Sequence, residues 1–162
     1  MTGKKIKVLA AGCFDLLHYG HLRYLEEARK LGGENAELVV VVARDCTFMK
    51  RKGLPPVIRE EERRALVEAL KPVDRAILGD VDMNLEGVIQ NVKPDIIALG
   101  YDQGDLADTL ERRADVKVVR LGRYGNLSSS AIKSLIYCKW DPLNREGPST
   151  GQNRRPSDQG SS

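Results

Sequence analysis

The sequence predicts an α/β domain: a Rossmann-like, doubly wound and mostly parallel five-stranded sheet with helices on both faces, followed by a disordered tail. Three observations carry that prediction. Apolar runs of strand length alternate with segments whose apolar residues recur at helical spacing. Two of those runs, Leu38-Val39-Val40-Val41-Val42 and Ile96-Ile97-Ala98-Leu99, are continuously apolar, as in strands covered on both sides. The first run ends at a glycine-marked turn that opens straight into a helical pattern, a junction that aims backbone N–H groups at an anion.

In chain order, strands are expected at Ile6 to Ala11, Glu37 to Ala43, Arg75 to Leu78, Asp95 to Leu99 and Val116 to Arg120. Helices are expected at Gly20 to Leu31, Arg59 to Leu70, Leu85 to Asn91, Leu106 to Arg113 and Ser129 to Tyr137. In the first helix Leu22, Leu25, Ala28 and Leu31 form one buried face. In the second, Leu66, Val67 and Leu70 do so, while Glu60, Glu61 and Glu62 place negative charge where the helix dipole favours it. From Asp141 to Ser162, 10 of 22 residues are Pro, Gly or Ser and only Leu143 is strongly hydrophobic. Such a segment buries too little apolar surface to offset its ordering entropy. The expected organisation is therefore one domain, 1–140, with Trp140 as its last anchor, and a disordered tail, 141–162.

The 162 residues suffice for one domain with a sizeable core, and 41% hydrophobic with 30% charged residues is ordinary for a globular protein. The formal charge of +3 is spread among acidic residues rather than gathered in a block, so nucleic acid is not the expected partner; an anionic small substrate is. Cys13, Cys46 and Cys138 form no C-x-x-C or Cys/His cluster that would suggest a zinc site or disulfide framework, and a reducing compartment is expected. No run approaches the roughly 18 apolar residues of a membrane span, and no signal-peptide core precedes the first strand. The expectation is a cytoplasmic protein without a membrane partner.

The most informative segment is Gly12-Cys13-Phe14-Asp15-Leu16-Leu17-His18-Tyr19-Gly20-His21. It holds the only two histidines of the chain, three residues apart at a helix start, so both face one way and both can donate to one phosphate. Gly20 has no Cβ, so a nucleotide can lie against the backbone there. The structural alternative is a buried strand-turn-helix with hydrogen-bonded core histidines. A second constellation is Arg123-Tyr124-Gly125-Asn126-Leu127-Ser128-Ser129-Ser130, in which serines before an apolar-periodic run offer another helix N-terminus and Arg123 adds a fork for an anion. Taken alone, it reads more readily as a serine-capped terminal helix with a solvent-facing arginine.

His18, Gly20 and His21 resemble the H-x-G-H signature of the nucleotidylyltransferase superfamily. Arg123, Leu127, Ser128, Ser129, Ser130 and Ile132 are in register with its R-x-x-x-[IV]-S-[ST]-[ST]-x-[IL] stretch. That resemblance implies attack by a substrate phosphate on the α-phosphorus of a nucleoside triphosphate, with pyrophosphate leaving. His18, His21, Lys52 and Arg123 would be the catalytic groups, and a divalent ion, Mg2+, would accompany the triphosphate. Lys52, with Lys50 and Arg51, is placed in a loop after the second strand. Arg63 resembles the family's E-E-R arginine near the nucleotide, with an exposed helix arginine as the alternative. Asp15 orients a histidine, meets the metal or caps the turn.

Gly12 to His21, including Tyr19, also reads like glycerol-3-phosphate and phosphoethanolamine cytidylyltransferases. The middle of the chain, Val42-Ala43-Arg44-Asp45, Glu68 to Gly79 and Lys93 to Gln103, resembles archaeal-type FAD synthetases, which join ATP to FMN. By that resemblance Cys13, Phe14, His18 through His21 and Asp102 line the ATP site, with Tyr124 near the base and Ser128 and Ser129 on the phosphates. Gly100-Tyr101-Asp102-Gln103 stands where cytidylyltransferases carry G-D-D-W, which favours ATP over CTP. Asn126 and Leu127 stand where archaeal FAD synthetases carry cysteines, and Tyr19 replaces their proline. FMN is thus the expected acceptor, a CDP-alcohol synthesis the alternative, a non-catalytic nucleotide-binding regulator a third, and a homodimer the state common among relatives.

Overall fold

β1 (Ile6–Gly12) lies at the centre of the sheet because it is hydrogen-bonded along both edges. It pairs with β2 (Ala36–Val42) from Ile6 opposite Ala36 to Gly12 opposite Val42, and with β4 (Ile96–Leu99) from Val8 opposite Ile96 to Ala10 opposite Ala98. β3 (Arg75–Leu78) continues the sheet beyond β2, and β5 (Lys117–Arg120) continues it beyond β4. All four pairings are parallel, giving the order β3-β2-β1-β4-β5. The computed structural model describes residues 4–81, 84–113 and 115–140. The expected tail, 141–162, and the anchoring side chain of Trp140 lie outside the described residues.

The period of two along β1 divides the core between the faces of the sheet. Val8 and Ala10 pack with Leu25 and Ala28 of α1 (Tyr19–Lys30) and with Val67 of α3 (Glu60–Glu68). Leu9 faces the other way, onto Val88, Ile89 and Val92 of α4 (Leu85–Val92) and onto Ala107 and Leu110 of α5 (Gly104–Leu110). Residues Leu38 through Val42 are buried without interruption, as the unbroken apolar run requires. These elements lie within a few residues of their expected ranges, and α6 (Ser129–Trp140) follows β5.

One helix escaped the sequence. Lys50, Arg51 and Lys52, expected in a loop, form the last turn of α2 (Asp45–Lys52), which buries only Thr47 and Phe48. Two buried residues make too short a stripe for periodicity to detect. Three cations at its C-terminus suit the helix dipole, and Gly53 ends it with φ 74°, a conformation that side chains disfavour.

Two aspartates staple the amino-terminal edge of the sheet. Asp74 Oδ2 accepts from Leu38 N at 2.7 Å and pairs with Arg29, while Asp95 Oδ2 accepts from Lys7 N at 2.9 Å. At the opposite edge, where β1 and β4 lie side by side but the chain leaves β1 for β2, the strand ends open into the crevice typical of a topological switch point. Gln103 spans it, accepting from Gly100 N at 2.8 Å and donating to Ala11 O at 3.0 Å. Gln103→Leu leaves Gly100 N without its acceptor and Ala11 O with only the longer bond from the Tyr24 hydroxyl at 3.4 Å, and urea denaturation is expected to show a loss of about 1–2 kcal/mol.

Candidate active site

The turn after β1 builds one wall of the crevice. Phe14 is fully buried at φ 52°, a left-handed backbone that a bulky residue adopts only when its surroundings impose it. His18 is the N-cap of α1: its Nδ1 accepts from Gly20 N at 3.1 Å, which leaves the ring proton on Nε2. The His18 and His21 rings lie 3.9 Å apart between centroids, tilted by 30°, and His21 packs on Phe14 at 5.2 Å. His21 Nδ1 is buried without a hydrogen-bond partner, so packing alone holds that ring and Nε2 is the nitrogen left for a ligand. Burial, then the neighbouring His18, pushes His21 down to about 4; burial also lowers His18. Burial thus favours the neutral form of both imidazoles.

The segment before α6 converges on the same turn from about a hundred residues away. A Cβ on Gly20 would come within 2.5 Å of Tyr124 O and 2.9 Å of the His18 ring, so only glycine fits. The space a Cβ would need is taken by the Tyr124 carbonyl and the His18 ring, while Gly20 itself still lines the crevice. Ser129 Oγ donates to Leu16 O at 3.2 Å, and Ser128 Oγ caps α6 by accepting from Ala131 N at 3.1 Å. Lys133, one turn into α6, pairs with buried Asp15 at 2.5 Å. The other oxygen of Asp15 accepts from Val57 N at 2.7 Å and Ile58 N at 3.1 Å. Of the roles expected for Asp15, the turn-capping one matches these bonds. Two helix N-termini thus open onto one space.

That space is a cavity of about 590 Å3. Cys13, Phe14, Asp15, His18, Gly20, His21, Lys52, Asp102, Arg123, Tyr124, Ser128 and Ser129 all line it, so most of the expected residues meet there. Arg123 is exposed, its guanidinium 5.6 Å from the Tyr101 ring centroid. Asp102 follows β4 by three residues, exposed on the wall. Burial raises the Cys13 thiol despite the nearby charges of Arg51, Arg63 and Lys52, so it is a neutral wall group. Arg51, with Arg44 paired to Glu60 and Lys133 paired to Asp15, also lines the cavity, and the sequence reading assigned none of the three to the site. Arg44 is the N-cap and Arg51 lies in the last turn of a helix too short to be recognised, and Lys133 carried no pattern beyond its place after the serines.

Tyr19 and Arg63 do not line the cavity. Tyr19 is 67% exposed on the outer side of the first turn of α1. Arg63 is fully buried, and its guanidinium is spent on the protein. Nε donates to Ile58 O at 2.9 Å, Nη1 to Cys13 O at 2.5 Å, and Nη2 to Ala43 O at 2.8 Å and to Asp45 at 2.6 Å. It ties the ends of β1 and β2 to α2 and α3, positioning the cavity wall from behind. Neither the nucleotide contact nor the exposed alternative matches this place.

Arg63→Met removes every one of those donors and leaves Asp45 unpaired; a loss of about 3 kcal/mol or more is expected in thermal denaturation. The pH dependence is equally specific. His21 binds its proton more weakly folded than unfolded, so lowering the pH from 6.5 towards 4 protonates the unfolded chain first and destabilises the fold. Melting temperatures should fall across that window in the unaltered protein, and His21→Gln should flatten the fall; an unchanged slope would refute the neutral, buried His21.

The comparisons agree with this geometry. Residues 9–135 match the family model described as Cytidylyltransferase-like. An FAD synthase of Aciduliprofundum boonei is 46% identical over 137 residues, 82% of this chain and 89% of that protein. An FAD synthase of Thermoplasma acidophilum is 50% identical over 134 residues, 78% of this chain and 90% of that protein. A crystal structure described as the lipopolysaccharide core biosynthesis protein from Thermoplasma volcanium superposes with a TM-score of 0.65 at 45% identity, covering 75% of this chain and all of that one. With a matched span running from the middle of β1 into α6, the chain belongs to the cytidylyltransferase-like family.

Proposed function

We propose that this protein is an FAD synthase, transferring AMP from ATP to the phosphate of FMN. The observation that carries the reading is the meeting of the paired imidazoles with the serine-capped start of α6 around one cavity, sealed by the contact of Gly20 with Tyr124 O. The choice of ATP and FMN rests on the FAD synthases to which most of the chain is similar.

An oxygen of the FMN phosphate attacks the α-phosphorus of ATP. The new P–O bond forms as the bond to the bridging oxygen of the β-phosphate breaks, and pyrophosphate leaves with that electron pair. No protein atom is bonded to the substrate. The protein supplies positioning and charge. Nε2 of His18 and of His21 donates to oxygens on the α-phosphate, and the triphosphate's own negative charge raises both imidazoles towards their protonated form. The N–H groups at the start of α6, with Ser128 and Ser129, meet the phosphates, and Arg123 and Lys52 balance charge on the departing pyrophosphate.

ATP enters as its magnesium complex. No cluster of three His, Cys, Asp or Glu is present among the described residues, which suits an ion that keeps phosphate and water ligands and needs one or two carboxylates; Asp102 would hold it. The ion supplies charge neutralisation on the triphosphate. Among the described residues no helix is long and apolar enough to cross a membrane, and the three free thiols suit a reducing cytoplasm.

Pyrophosphate release and chromatographic detection of FAD test the reading. ATP with FMN should turn over, whereas CTP with glycerol 3-phosphate or phosphoethanolamine should not; turnover of a CTP pair alone would replace it with CDP-alcohol synthesis, and none at all would favour a nucleotide-binding regulator. His18→Asn keeps an acceptor for Gly20 N and so keeps the α1 cap, but removes the Nε2 donor. Its turnover should fall by roughly 100- to 1000-fold with an unchanged melting temperature.

A further inference from the structure

The two cores end differently at the carboxyl edge of the sheet. Beneath α1 and α3 the core is closed by Phe14, on which the His21 ring sits. Beneath α4 and α5 it is open: Ala11, Val41, Leu85, Val88 and Leu106 all pack into that core and also line the cavity. Ala11, Leu85 and Leu106 are only half-buried. The result is an aliphatic floor in a cavity whose facing wall carries imidazoles, hydroxyls and cations. Apolar surface left wet costs about 25 cal/mol per Å2, so a flat apolar ligand covering that floor is favoured.

The proposed reaction brings two ring systems into the cavity. Adenine carries ring nitrogens in both rings and an exocyclic amino group, and it needs polar partners. Isoalloxazine has a dimethylbenzene end made only of carbon and hydrogen. The loops after β4 and β5 offer the polar side of the cavity, with the Asp102 carboxylate, the Tyr101 ring and Arg123. The α4–α5 side offers aliphatic carbon from two helices and two strands.

Resting on the FAD synthase reading, we infer that the floor formed by Ala11, Val41, Leu85, Val88 and Leu106 is the acceptor subsite, where the dimethylbenzene end of the flavin lies. Adenine then occupies the side over the loops after β4 and β5, and the two phosphate groups meet at the histidines between them. Leu85 and Leu106 set the preference for a flavin over a small polar acceptor such as glycerol 3-phosphate, which has no surface to cover the floor.

The test uses Leu85→Gln and Leu106→Gln, with Leu110→Met, in the same core but off the cavity, as the control, each checked by melting temperature. FMN affinity is read by quenching of flavin fluorescence, and KM is measured for FMN and ATP separately. The glutamine variants should raise the Kd and KM for FMN by about ten-fold or more while KM for ATP stays unchanged, and the methionine variant should resemble the unaltered protein. A rise in KM for ATP alone would put adenine on the floor and overturn the inference, as would no change in either. Should the glutamine variants fail to fold, riboflavin, which has the ring without the phosphate, decides on the unaltered protein. Competition with FMN supports the inference, and competition with ATP or none at all overturns it. Absence of FAD formation by the unaltered protein would instead remove the function on which the inference rests.

Discussion

A side chain on residue 20 would collide with the carbonyl oxygen of Tyr124 at 2.5 Å, and the rest of the site depends on that close approach. It brings the first turn of α1 against the segment leading into α6. Ser129 Oγ on Leu16 O and Lys133 on Asp15 close the same seam. Asp15 is almost fully buried, so its charge is tolerable only because one oxygen takes two backbone N–H groups and the other takes the lysine. Two helix N-termini from opposite ends of the sequence are thereby held on one cavity.

Electrostatic design follows from that seam. The imidazoles are desolvated, which favours their neutral form, yet they sit among Arg44, Arg51, Lys52, Arg123 and Lys133. In the proposed reaction a bound triphosphate would favour the protonated imidazoles, because a nearby opposite charge opposes the effect of burial. Donors are thus strengthened when phosphate is present.

Several residues that look functional by their pattern serve the frame. Arg63 spends four of its five N–H donors on carbonyls and Asp45 behind the cavity wall, and Asp74 and Asp95 fasten the far edge of the sheet. A buried guanidinium that gathers the ends of β1 and β2 holds the positions of Cys13 and Ala43, whose carbonyls it binds.

By itself the sequence determined the alternation of strands and helices, the parallel sheet, and both segments that meet at the cavity, because period, apolar continuity and helix-start residues are local properties. His18, His21, Arg123, Ser128 and Ser129 were legible for the same reason. α2 was not, since two buried residues leave no period to read. Only the tertiary structure decided that Arg63 is buried behind the wall, that Tyr19 faces solvent, that Gly20 makes room for a carbonyl, and that Lys133 neutralises Asp15. Each depends on which side of an element faces a partner distant in the chain, and one strand of letters carries no record of that partner's position.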